Sequence, residues 1–259
     1  MADVVSIRYT QKSTELVDIC HLRSGRQTIH FTKMQDLGND AIYVDNRQGL
    51  ITCPESLAIT LCDRHVGVGA DGLVLIENSD VADAKMRMFN LDGSEGGMAG
   101  NPIRCVGKYL FDKGIVRKEE MTVETRNGVH SLSLCTFGGE VGSVAVDMGK
   151  AEWAACKVPV TLPVPEVIDY PAQIGGMDVK ITCLSMGNPH CVVFEGNVDA
   201  IDLGKIGPLF ENAAIFPERV NTEFVHVVDE RTLIMRVYER GSGETRSCGT
   251  GACAAVAAA

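Results

Sequence analysis

Two segments lying far apart in the chain share one local grammar, and this repetition restricts the possible folds more than any other feature. In the first, the strand-like run MRMFN (Met86 to Asn90) leads through Asp92-Gly93-Ser94-Glu95-Gly96-Gly97-Met98-Ala99-Gly100-Asn101-Pro102 into the helix-like IRCVGKYLF. In the second, IMRVYE (Ile234 to Glu239) leads through Arg240-Gly241-Ser242-Gly243-Glu244-Thr245-Arg246-Ser247-Cys248-Gly249-Thr250-Gly251 into ACAAVAAA. Both run strand, Gly-Ser, small residue, glycine, then Asn or Thr at a helix start, with the Gly-Ser offset differing by one residue. Two such half-repeats predict two related domains facing each other across a cleft.

Each copy ends where a helix begins, and that limits its chemistry. Asn101 followed by Pro102 reads as a cap with proline at the first helical position, and Thr250 reads as the cap of the second helix. Neighbouring glycines let a ligand approach the backbone, where free N–H groups and the positive end of the helix dipole favour an anion such as a carboxylate. Cys248 stands just ahead of Gly249 and Thr250, so the same dipole is expected to lower its thiol pKa and make it an acid/base group or nucleophile. The plainer alternative is a small buried residue tightening a turn.

Composition narrows the partners. The 259 residues are 45% hydrophobic and 22% charged, enough for one large or two ordinary domains. Net charge is −10 and the basic residues form no block, so neither nucleic acid nor an anionic membrane is an expected partner. No stretch reaches the roughly 18 apolar residues of a membrane helix, and residues 1–29 carry no signal-peptide hydrophobic region, which predicts a soluble cytoplasmic protein. The ten cysteines include no Cys-x-x-Cys pair, so zinc-ribbon and thioredoxin-type readings fall away, no metal is expected, and most of the thiols read as small buried hydrophobes.

Short apolar runs bounded by turn residues predict strands over Ala41–Asp45, Leu73–Glu77, Lys85–Asn90, Met121–Thr125, Val141–Met148, Cys191–Phe194, Glu223–Val228 and Leu233–Glu239. Helical spacing marks Pro54–Arg64, Pro102–Lys113, Gly251–Ala259 and, more briefly, Ile206–Ala213. The expected fold is α+β, with two pseudo-symmetric domains of mostly antiparallel sheet around central helices. Three prolines within 149–165 mark an extended connector. The resulting boundaries are 1–29 for an extension of unreadable role, 30–149 for the first half and 150–259 for the second. Gly67-Val68-Gly69-Ala70-Asp71-Gly72 fits G-x-G-x-x-G but precedes a strand instead of opening a helix, so no dinucleotide is inferred. Lys33 and Lys108 lack the surroundings of an aldimine site.

Further motifs follow in order along residues 31–259. They are Phe31-Thr32-Lys33-Met34 with Gly38-Asn39-Asp40; Asp63-Arg64-His65 with Gly67, Gly69, Asp71 and Gly72; and Phe89-Asn90 with Asp92-Gly93-Ser94-Glu95. Then come Gly100-Asn101 with Arg104-Cys105, Met186-Gly187-Asn188-Pro189-His190, Asn221-Thr222-Glu223-Phe224, and Glu239-Arg240-Gly241 leading to Cys248-Gly249-Thr250-Gly251-Ala252. Through them the chain resembles the diaminopimelate epimerases, which interconvert LL- and meso-2,6-diaminopimelate without pyridoxal phosphate in making lysine and peptidoglycan precursors.

The resemblance implies a homodimer, the pseudo-symmetric fold already expected, and a two-base mechanism needing no cofactor. One cysteine is thiolate base and another thiol acid, on opposite sides of the α-carbon. One of these positions falls on Cys248 and the other on Ala99, which carries no exchangeable proton, so inversion is expected to be impaired. Pro102 departs from the family's small residue in the same loop, and Cys105 matches a non-catalytic position. The resemblance also implies that Asn39, Asn90, Asn188, Asn221, Glu239 and Arg240 hold the amino-acid head distal to the reacting centre, with Gly100, Asn101, Gly249 and Thr250 at the two helix starts. His190 is read as structural. The family continues past the Ala-rich helix in which this sequence stops, so a truncated end is expected. Open alternatives are an inactive amino-acid-binding homologue, a branch using a different acid, and another cofactor-independent isomerase of the same fold, proline-racemase-like or phenazine-isomerase-like.

Overall fold

The computed structural model describes residues 4–5, 29–96 and 100–259, so Ala99 lies outside the described residues. The chain divides into two compact units, Met1–Asp147 and Met148–Ala259.

In the first unit, β1 (Val4–Val5), β2 (Thr32–Asp36), β3 (Asn39–Asp45), β4 (Gly72–Glu77), β5 (Ala84–Asn90), β6 (Glu120–Thr125), β7 (Gly128–Phe137) and β8 (Glu140–Val146) form one sheet in chain order. Neighbours are antiparallel except β3 with β4 and β5 with β6. Parallel neighbours need a crossover, and helices supply it: α1 (Pro54–Cys62) between β3 and β4, α2 (Gly100–Asp112) between β5 and β6. In β4, Leu73 and Leu75 pack in a core with Leu57 and Ala58 of α1, while Val74 and Ile76 pack in another with Ile103 and Val106 of α2. Successive side chains of a strand point to opposite faces, so an unbroken apolar run is what a strand covered on both faces requires.

The second unit repeats this plan. β9 (Val167–Ile174), β10 (Met177–Ser185), β11 (Pro189–Phe194), β12 (Asn221–Asp229), β13 (Thr232–Glu239) and β14 (Gly243–Thr245) form a sheet in which β11 and β12 are parallel and the other pairs antiparallel. The crossover between β11 and β12 contains α3 (Leu203–Glu211), and α4 (Gly249–Ala258) follows β14. Val193 and Phe224 share one core with Phe210 of α3, and Val192 and Val225 share the other with Ala254 and Ala255 of α4. Both units thus run antiparallel pair, crossover helix, parallel strand, antiparallel strand, repeated loop, helix. This is the expected α+β fold of two related, mostly antiparallel units.

One expectation needs correction. Segment 149–165 is not an extended connector: Val158 and Val160 are buried in the second core, the Ala155 N–H donates to Pro165 O at 2.9 Å and the Thr161 N–H to Ile215 O at 3.0 Å. Apolar residues between the prolines give the segment something to bury. The glycine-rich motif, in turn, closes the C-terminal end of α1, where the Gly67 N–H donates to Asp63 O at 3.0 Å and the Val68 and Gly69 N–H groups to Leu61 O at 2.9 Å. A Cβ on Gly67 would collide with the backbone oxygens of Thr60 and Leu61. Among the described residues no helix is long and apolar enough to cross a membrane.

Candidate active site

Register brings the expected residues of the second unit together. His190 pairs with Asn221 across the parallel strands, and Thr222 pairs with Tyr238 across the antiparallel ones. The starts of β11 and β12 and the end of β13 therefore meet at one end of the sheet, with Asn188, Asn221, Glu239 and Arg240 at that end. Asn221 is an organiser there, its Nδ2 donating to Pro189 O at 2.9 Å and its Oδ1 accepting the Arg240 N–H at 2.9 Å. The loop after β13 is fixed further by Arg240 Nη1 donating to Glu218 O at 3.0 Å and by the Gly241 N–H donating to buried Glu211 at 2.8 Å. Glu239 accepts from the Thr245 hydroxyl.

Cys248, rather than Thr250, caps α4. Its backbone is extended and its Sγ accepts the Gly251 N–H at 3.3 Å, as a serine oxygen would at this position. Thr250 instead sits in the first turn with its hydroxyl 3.4 Å from Sγ. The expected fall in the thiol pKa is overturned. Burial pushes Cys248 up to about 12 and the Glu239 charge adds to the rise, while hydrogen bonds from Thr250 and the Gly251 N–H oppose it without prevailing.

Behind Cys248 a line of polar side chains enters the core. Asn188 Nδ2 donates to Thr250 Oγ1 at 3.3 Å, Asn188 Oδ1 lies 2.8 Å from His190 Nε2, and His190 Nδ1 lies 2.7 Å from Glu223 Oε1. His190 and Glu223 have no exposed side-chain surface. Sequence reasoning gave Glu223 no role, although a carboxylate inside the apolar run of β12 was a usable signal.

The first unit has an equivalent sheet end, where Ala41 pairs with Gly72 and Gly72 with Asn90. Asn39 Nδ2 donates to Asp71 Oδ2 at 3.1 Å. Arg64 ties Asp71, at 2.8 Å, to Asp40, at 2.6 Å, and Lys33 reaches Asp40 at 2.9 Å. Burial alone would raise the Asp40 pKa, but hydrogen bonds and charge from Arg64 and Lys33 outweigh it and hold the carboxyl at about 2. Arg64 with Asp40 and Asp71 is therefore a scaffold behind Asn39, a role missed in the sequence. Asn90 Nδ2 donates to Ser94 Oγ at 3.0 Å.

At the start of α2 a second cap assignment changes. The helix begins at Gly100, so Asn101 and Pro102 lie in its first turn and Asn101 is not the residue ahead of it. Asn101 Oδ1 accepts from Arg104 at 2.6 Å, and Arg104 Nε donates to Asp36 at 2.5 Å. Cys105 faces the core, where burial lifts its thiol to about 11.

Residues 31–154 and 182–259 match the sequence model of the family described as diaminopimelate epimerase. The chain belongs to the diaminopimelate epimerase family. Diaminopimelate epimerase of Acetivibrio thermocellus is 50% identical over 230 residues, 89% of this chain and 82% of that protein. The protein of that name from Methanococcus maripaludis is 50% identical over 228 residues, 88% of this chain and 82% of its own length. Among solved structures, a hydroxyproline epimerase from Agrobacterium vitis aligns with a TM-score of 0.60 at 14% identity, over 88% of this chain and 75% of that one. A PhzF-family phenazine biosynthesis protein from Bacillus anthracis aligns with a TM-score of 0.56 at 19% identity, over 88% and 77%. At those identities the likeness is one of fold. Membership of the diaminopimelate epimerase family makes the chain an isomerase by class.

Proposed function

We propose that the chain acts at the α-carbon of 2,6-diaminopimelate, with Cys248 as an acid/base group of LL-to-meso epimerisation. The observation that carries this is the thiol of Cys248 capping α4, in contact with the Gly251 N–H and the Thr250 hydroxyl. When the Cα–H bond breaks, the proton goes to Sγ and the electron pair to Cα and its carboxylate. N–H groups and the dipole at the start of α4 favour that developing charge. A thiol held at about 12 is scarce as thiolate at neutral pH but basic once formed, which suits a poorly acidic C–H.

Inversion needs an acid on the opposite face, the role the family pattern gives to residue 99. With Ala99 there, Cys248 can return the proton only to the face it left, so the proposed activity is exchange with impaired inversion. The reading assigns Asn39, Asn90, Asn188, Asn221, Glu239 and Arg240 to the distal amino-acid head, and Gly100, Asn101, Gly249 and Thr250 to the helix starts. In support, Asn221 keeps one N–H and one lone pair beyond its two internal bonds, and Asn39 keeps its amide oxygen free of the Asp71 contact. The chemistry calls for neither metal nor organic cofactor. A cytoplasmic homodimer built from the halves 30–149 and 150–259 completes the reading, on the family pattern.

The test is to incubate the protein with LL- and meso-diaminopimelate in deuterium oxide, following α-deuterium and stereochemistry together. Slow exchange without inversion is expected. Rapid inversion would overturn the role given to residue 99, and binding of proline but of neither diaminopimelate isomer would overturn the substrate.

A further inference from the structure

The carboxylate of Glu223 is fully buried beneath the first turn of α4, where a Cβ on Gly251 would lie 2.6 Å from its Oε1. Among the described residues its Oε2 has no hydrogen-bond partner, so the group is held at a desolvation cost that an apolar residue would avoid. Among the described residues its one hydrogen-bonding partner is His190 Nδ1, the far end of the line that reaches Cys248 through Asn188 and Thr250.

We propose that Glu223 is a positioning residue for Cys248, setting the direction of the hydrogen-bond line His190, Asn188, Thr250 that ends on the thiol. This rests on the reading of Cys248 as the acid/base group. A carboxylate only accepts, so Glu223 keeps a proton on His190 Nδ1. Nε2 then has two states, and each orients everything beyond it. With a proton on Nε2, Asn188 Oδ1 accepts it, Nδ2 donates to Thr250, and the Thr250 hydrogen is free to join the Gly251 N–H in donating to a Cys248 thiolate. With Nε2 bare, the Asn188 amide is reversed, Thr250 donates to Asn188, and the Cys248 thiol donates to Thr250.

The two states hold the same number of protons and differ only in whether one sits on Sγ or on Nε2. The Asn188 orientation observed, with Oδ1 toward His190 and Nδ2 toward Thr250, is the one that leaves the Thr250 hydrogen free for Cys248. An amide at 223 could face His190 with either its oxygen or its NH2, and the direction of the line would no longer be fixed.

Glu223→Gln preserves shape and separates this role from simple charge. The acidic groups whose charges act on Cys248 are Glu239 and Glu223, and both disfavour its thiolate. Removing the Glu223 charge alone would therefore speed alkylation of Cys248, whereas loss of the ordered line slows it. The measurement is the rate of Cys248 alkylation by iodoacetamide at pH 8, resolved by peptide mass spectrometry. A slowing of about tenfold is expected, equivalent to about one unit of thiol pKa. Thr250→Val should slow it to a similar degree, Thr250→Ser should recover the rate, and Glu223→Gln combined with Thr250→Val should be no slower than Thr250→Val alone. Unchanged or faster alkylation in Glu223→Gln, or additive slowing in the double variant, overturns the proposal.

Should Glu223→Gln fail to fold, nitrogen-15 NMR of His190 in the unaltered protein decides. Nδ1 is expected to keep its proton throughout the Cys248 titration, and losing it overturns the role of Glu223. These readouts involve no substrate. Coupled alkylation without deuterium entering diaminopimelate would sink the substrate reading alone, and uncoupled alkylation with exchange would sink the role of Glu223 alone.

Discussion

Gly251 lies so close to Glu223 that a Cβ on the glycine would sit 2.6 Å from Oε1 of the carboxylate. Gly251 is inside α4, so its missing side chain answers this close approach rather than a left-handed backbone. A flexible surface glutamate would move aside. Glu223 cannot, because it is enclosed and tied to His190 at 2.7 Å.

Gly251→Ala should therefore destabilise the protein by about 1–3 kcal/mol, the range for overpacking a close-packed site. It should also disturb Cys248, whose Cβ and Sγ would lie 3.2 and 3.3 Å from the new methyl. Urea denaturation measures the first effect, and a variant within about 0.5 kcal/mol of wild type would show that the carboxylate yields after all.

How much of this was legible beforehand depends on which interactions the sequence pattern encodes. The LVLI run of β4 announces a strand buried on both faces, and the repeated glycine loop announces two helix starts, because both depend on local residue order. The cap at Cys248 was misassigned to Thr250, since the choice turns on whether sulfur or oxygen reaches the Gly251 N–H. The thiol pKa was misjudged in sign because burial, which outweighs the local hydrogen bonds, comes from residues remote in the chain. β7 (GVHSLSLCTF) has the alternation of a strand and went unread, whereas β9 carries a proline and a positive φ at Asp169, which mask its extended pattern. The links from His190 to Glu223 and from Arg64 to Asp40 join residues far apart in sequence, so only the fold reveals them.

Asp40 should make the first unit sensitive to acid. Its carboxyl sits at about 2 when folded and near 3.9 when unfolded, so its contribution is complete above the unfolded value and is lost as pH falls through the folded one. Asp40→Asn is expected to cost about 2 kcal/mol at pH 7, a difference that closes as pH approaches 2. Denaturation of both proteins across that range provides the check, and a gap independent of pH would mean that packing, rather than charge, is what the substitution removes.

At the alkaline end the sign reverses. Burial lifts Cys62 and Cys105 to about 11 and Cys248 to about 12, and lifts Tyr43 well above the ordinary phenol range. Unfolded thiols ionise near 8.5, so above that value the unfolded chain releases protons the folded chain retains. Stability is thus intact below about pH 8.5 and falls as pH rises toward 11, by about 1.4 kcal/mol per pH unit for each such thiol. Replacing Cys62 and Cys105 with alanine should flatten this fall in urea melts between pH 8 and 10. An equally steep fall in the double variant would assign it to other groups.

The substitution that bears most directly on chemistry is Ala99→Cys. On the proposed reading, residue 99 serves the face of the α-carbon opposite Cys248, where alanine offers no proton, so the single thiol can exchange the α-proton but must return it to the same side. A second thiol at 99 supplies the missing acid, and general acid catalysis of this kind contributes on the order of a hundredfold or more. Inversion of diaminopimelate should therefore rise by at least about a hundredfold, while deuterium exchange, already served by Cys248, rises much less. Pro102 stands in the first turn of α2 with its carbonyl accepting from Tyr43 at 3.4 Å, so Pro102→Gly is the companion variant that separates the shape of this loop from its chemistry. If inversion stays absent in Ala99→Cys with and without Pro102→Gly, while exchange persists, the opposing acid is not at 99 and must be sought on another residue.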